Sequence, residues 1–131
     1  MIKYKLLVVS LLITALACGL VNAQEVKKIS NEELVALMKQ PYLQLVDVRT
    51  PEEVSFGIIE GAEHRDYYHP EFASKMNELN KNKPIVVYCA AGGRSAQTGE
   101  VLKTMGFKEV YDLTGGFRHW QEAGNPVKIL E

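Results

Sequence analysis

Short apolar runs alternate with amphipathic, helix-length segments along most of the chain, and this alternation restricts the fold more than any other feature. LQLVDV (residues 43 to 48), Ile85 to Tyr88 and Val110 to Leu113 read as strands, with Val26 to Ile29 as a short first one. Residues 58 to 64 lead into another. Helix signals lie between them. Ser30-Asn31-Glu32-Glu33 has the spacing of a capping box, and the helix it opens carries Leu34, Leu37 and Met38 on one face before Pro41 stops it. Thr50-Pro51-Glu52-Glu53 combines a cap, a proline at the first helical position and acids at the positive dipole end, with Gly57 to end the turn. Pro70 to Leu79 presents Phe72, Met76 and Leu79 inward, and Ser95 to Met105 is helical ahead of Gly106. Gly115-Gly116 then turns the chain into a last helix that runs through Ala123. Strands and helices in this order imply an α/β domain: a five-stranded, mainly parallel, doubly wound sheet with helices on both faces.

The chain of 131 residues has room for one such domain, and residues 1–23 stand apart from it. Lys3 and Lys5 precede an apolar stretch from Leu6, and Val21-Asn22-Ala23 supplies small residues at the spacing a signal peptidase reads. Ser10 and Thr14 interrupt that stretch, which falls short of the about 20 apolar residues of a membrane span. The expectation is an export signal, with residues 24–131 as the mature domain in a bacterial periplasm. Cys18 follows Ala15-Leu16-Ala17, whereas lipoprotein signals usually place leucine three positions before the lipidated cysteine. Cys18 therefore reads as filler in a removed segment, with a membrane-anchored lipoprotein as the alternative. The formal net charge of −1 shows no basic excess, which removes support for nucleic-acid binding. Export also leaves Cys89 as the sole thiol, with no partner for an internal disulfide.

That thiol sits in VVYCAAGGRSAQ, residues 86 to 97. Ligands of open α/β sheets bind beyond the carboxyl ends of the strands, which is where Cys89 falls. A helix N-terminus offers unpaired N–H groups and partial positive charge, both of which lower a cysteine pKa. Gly92 and Gly93 let the backbone curl so that successive N–H groups face one point, while Ala90 and Ala91 keep the mouth open. Arg94 adds a fixed charge suited to a sulfonate or phosphate, and Ser95 is placed to cap the helix and donate its hydroxyl. The arrangement suits a thiolate nucleophile whose covalently loaded anion is held by amides.

Three segments carry a family resemblance. The loop CAAGGRS resembles the C-x-x-G-x-[RK]-[ST] active loop of the rhodanese sulfurtransferases. LVDVRTPEEVSFGIIEGA (45 to 62) is similar to that family's D-V-R-x-x-x-E-[FY]-x-x-G-H-I-x-G-A segment, and LTGGFRHWQEAGNPV (113 to 127) to its closing L-x-G-G-x-x-x-W-x-x-A-G-x-P-V. The resemblance implies a rhodanese fold and a Cys89 that takes a sulfane sulfur from a donor such as thiosulfate. A persulfide held by residues 90–95 would pass it to cyanide, a thiol or a protein. It further implies that Arg94 holds the donor's sulfonate and that Asp47 and Arg49 support the loops structurally. The expected partners are a small sulfur donor and a thiol or protein acceptor, with a monomeric chain and no cofactor. Two positions depart from the pattern. Ala90 stands where strongly thiosulfate-active members often carry arginine or lysine, and Ile58 stands where the pattern has histidine.

Other chemistry fits less well. The phosphatases and arsenate reductases of related architecture use C-x5-R, and Cys89 to Arg94 is one residue shorter. A sulfur carrier or interaction module with little thiosulfate turnover is the alternative reading. His64, His69 and His119 lack metal-ligand spacing, so no metal is assigned, and nothing places a histidine beside Cys89 as a thiol protease requires. Arg65 and Arg118 are cations whose relation to the pocket the sequence leaves open, and Trp120 reads as packing on the last helix.

Overall fold

A computed structural model describes residues 25–131; the expected export signal and Cys18 lie outside the described residues. Ten elements follow in strict alternation: β1 (Lys27–Ile29), α1 (Asn31–Met38), β2 (Gln44–Asp47), α2 (Pro51–Val54), β3 (Glu63–His64), α3 (Phe72–Asn77), β4 (Ile85–Tyr88), α4 (Gly93–Thr104), β5 (Val110–Leu113) and α5 (Gly116–Glu122). The sheet order is β1-β5-β4-β2-β3, and every pairing is parallel. The sheet is thus wholly rather than mainly parallel.

Central strands of such a sheet are covered on both faces, which explains the unbroken apolar runs. Val86 and Tyr88 of β4 point into one cluster with Leu34, Val54, Phe117 and Trp120 from α1, α2 and α5. Ile85, Val87 and Cys89 point into the other, with Phe72 and Met76 from α3 and Leu102 from α4. All four residues of β4 are fully buried. Since all strands run the same way, their carboxyl ends share one edge, and Cys89 lies on that edge.

The helix starts follow their caps. Thr50 and Glu53 bond each other reciprocally, Thr50 N–H to the carboxylate at 2.9 Å and Glu53 N–H to the hydroxyl at 3.3 Å. In α1 only half of the expected box forms: Ser30 Oγ accepts from Glu33 N–H at 3.1 Å. Met38 is 36% exposed rather than inward. At 100° per residue, Leu37 and Met38 flank Leu34 on opposite sides, and the core takes Leu37. Helix α4 begins two residues earlier than Ser95, because Gly92 adopts φ +126° and is itself the N-cap. Ser95 is therefore not the cap. It occupies the first turn, fully buried, with its hydroxyl donating to Gly92 O at 3.2 Å.

Candidate active site

The loop from Cys89 to Gly92 is held from below by α5. Phe117 N–H donates to Cys89 O at 2.8 Å and Arg118 N–H to Ala90 O at 3.0 Å, so the open N-terminus of α5 anchors the carbonyls of the loop. This approach demands glycine at 116. A Cβ there would lie 2.5 Å from Cys89 O, and the residue has φ +59°. With its carbonyls turned toward α5, the loop is free to turn amides toward the sulfur.

Gly92 N–H donates to Cys89 Sγ at 3.1 Å, and the Ser95 hydroxyl lies 3.6 Å from the same atom. Burial pushes the Cys89 pKa up, but hydrogen bonding with the Ser95 hydroxyl and with the N–H groups of Ser95, Gly92 and Ala91 outweighs it. The thiol is held below its ordinary value. The sequence suggested an open mouth at Ala90 and Ala91. Instead Cys89 is 1% exposed. Residues this small let the loop close down onto the sulfur.

Arg94 is committed to a partner. Its Nη1 and Nη2 donate to the two carboxylate oxygens of Glu53 at 2.7 and 2.8 Å, a forked pair between α4 and α2. The Arg94 guanidinium lowers the Glu53 pKa to about 2, with further help from Thr50 against a smaller cost of burial. The Tyr68 ring centroid lies 5.8 Å from the same guanidinium. Sequence reasoning placed Glu53 only in the cap and in the motif. Its pairing across 41 residues had no local signal.

Residues 30–123 match the family model described as a Rhodanese-like domain. The chain belongs to the rhodanese family. Among curated proteins, a sulfurtransferase from Allochromatium vinosum is 35% identical over 66% of this chain and 79% of its own length. A thiosulfate sulfurtransferase GlpE from Shewanella oneidensis is 32% identical over 74% of this chain and 94% of its own length. A solved rhodanese-related protein from Thermoplasma volcanium superposes with a TM-score of 0.70 at 33% identity, covering 79% of this chain and 99% of that one.

Within this rhodanese domain, Asp47 and Arg49 stand beside the loop rather than in it. Arg49 donates through Nε to both Asp47 oxygens at 3.1 and 3.0 Å and through Nη2 at 2.7 Å. The same Nη2 reaches Gly57 O at 2.7 Å, and the guanidinium sits 3.8 Å from the Phe117 ring centroid. One buried ion pair thereby ties β2, the end of α2 and α5 together. His64 Nε2 is engaged with Arg49 O at 2.7 Å, and His69 Nδ1 accepts from Glu71 N–H at 3.1 Å. Arg65 bonds Lys75 O, Glu63 and Glu78, away from the loop. Arg118 has an exposed side chain, although its N–H holds Ala90 O. Trp120 is buried and donates to Pro126 O at 2.8 Å.

Proposed function

We propose that this rhodanese domain is a sulfurtransferase that works through a persulfide on Cys89. The supporting observation is the Gly92 amide 3.1 Å from a thiol whose pKa is lowered by its loop. The Cys89 thiolate attacks the outer sulfur of thiosulfate. The bond between the two donor sulfurs breaks, sulfite leaves with its electron pair, and the transferred sulfur carries the negative charge. Amides already aimed at an anion in a water-poor site need no reorganisation to hold that charge. A nucleophilic acceptor (cyanide, a thiol or a protein thiol) then takes the outer sulfur, and Cys89 departs as thiolate.

The rim bears on the choice of donor. Ala90 brings no charge, and Arg94 is paired with Glu53, so the thiosulfate dianion competes with a carboxylate for this guanidinium. This favours modest thiosulfate turnover and leaves room for the carrier reading, in which a less charged donor loads the loop. Removal of residues 1–23 would put the chemistry in the periplasm.

One experiment tests both statements. Intact mass of the secreted protein, before and after incubation with thiosulfate, should start at Gln24 and gain the mass of one sulfur atom. The gain should be absent in Cys89→Ser. No gain in the wild type would overturn the persulfide reading, and a diacylated Cys18 at the N-terminus would overturn the soluble periplasmic one.

A further inference from the structure

A large aromatic ring stands in the open beside the cation of the catalytic loop. Tyr68, between β3 and α3, is 65% exposed and belongs to neither core cluster, yet its ring centroid lies 5.8 Å from the Arg94 guanidinium. Its neighbours fix it there. The Tyr68 N–H donates to Asp66 Oδ1 at 2.9 Å, and the ring meets that of Tyr67 edge-on, with centroids 5.3 Å apart and planes at 85°. Tyr67 is itself clamped: its ring packs on Phe72 of α3, with centroids 5.4 Å apart, and its hydroxyl donates to Gln97 of α4. The helix that carries Arg94 therefore also anchors the aromatic pair beside it.

Among the described residues, the Arg94 guanidinium has two side-chain partners, and they hold it in different ways. Glu53 takes hydrogens of Nη1 and Nη2 in a fork. The ring attracts the cation through its electron-rich face and uses neither of those hydrogen bonds. An anion that displaces the Glu53 carboxylate therefore leaves the ring in place. We propose that Tyr68 is a positioning residue that keeps the Arg94 guanidinium at the rim of the catalytic loop when an anionic sulfur donor takes the place of Glu53. This rests on the reading of Arg94 as the cation that meets the donor. In the resting protein Glu53 fixes the side chain whether or not the ring is there. Once the fork is broken, an arginine without the ring regains its rotamers, and the donor must order it again at a cost in affinity. The ring thereby raises affinity for anionic donors through Arg94.

Steady-state kinetics with thiosulfate gives the first test. Tyr68→Leu keeps apolar bulk at an exposed position and loses the ring face, so KM should rise about two- to fivefold with kcat unchanged. Tyr68→Phe keeps the ring face and should keep the wild-type KM. In an Arg94→Ala background, Tyr68→Leu should raise KM no further, because the two residues act through one guanidinium. A merely structural Tyr68 would raise KM equally in both backgrounds. The second test needs neither donor nor turnover: nitrogen relaxation of the Arg94 Nε–H group by NMR. With the fork broken by Glu53→Gln, this group should stay ordered, and adding Tyr68→Leu should release it to the mobility of a solvated side chain. A KM indifferent to leucine, a rise of the same size in Arg94→Ala, or an Arg94 relaxation unmoved by loss of the ring would each overturn the proposal. Failure of the wild type to load sulfur would sink the persulfide reading, and the relaxation measurement would still decide this one.

Discussion

At Cys89 two effects oppose each other. A sulfur exposed at only 1% loses most of its hydration on ionising, which favours the neutral thiol. Each hydrogen bond to a charged acceptor returns about 1.5–3 kcal/mol, and with the Gly92 amide and the Ser95 side chain at this atom the thiol is held below its ordinary pKa. The same balance decides what Arg94 contributes. Its guanidinium is held by Glu53, and in the proposed reaction an anionic donor would have to displace that carboxylate. Arg94→Ala should raise the thiosulfate KM roughly tenfold, the size of one charge-assisted hydrogen bond, with little loss of stability because the pair is partly exposed. Glu53→Gln keeps the cap and frees the guanidinium, so it should lower that KM. Steady-state kinetics on the two variants checks both. A KM unchanged in both would remove Arg94 from donor binding.

Among the elements, the contact between α5 and the catalytic loop carries the most weight. Two backbone hydrogen bonds turn the carbonyls of Cys89 and Ala90 downward, and only a glycine at 116 lets the helix come this close. Gly116→Ala places a methyl group against Cys89 O and forces a positive φ on a residue that resists it. Strain of this kind costs about 1–3 kcal/mol, and the clash adds to it. The variant should therefore unfold at lower urea and also load sulfur more slowly, because the loop shifts with the helix. Gly124→Ala provides the contrast: it shares the positive φ but meets nothing within 4 Å, so it should lose stability while loading sulfur at the wild-type rate. Equal loading rates in all three proteins would separate α5 from the loop's function.

At the scale of the molecule, an all-parallel sheet gathers its strand ends on one edge and covers both faces with helices. Much of this was legible in the sequence, because its causes are local. Apolar runs, the Thr50 cap, Pro51 and the positive-φ glycines each specify their own few residues. What stayed hidden depends on distant segments meeting. Nothing near Glu53 announces Arg94, and no local pattern shows that the Cys89 thiol lies beneath its loop rather than at an open mouth. The central claim is that the loop amides hold the charge on sulfur, and amide NMR tests it most directly. On loading with one sulfur, the Ala91, Gly92 and Ser95 N–H protons should move downfield, while amides in α1 and α3 stay in place. Loop amides that remain still while the sulfur is bound would contradict the account.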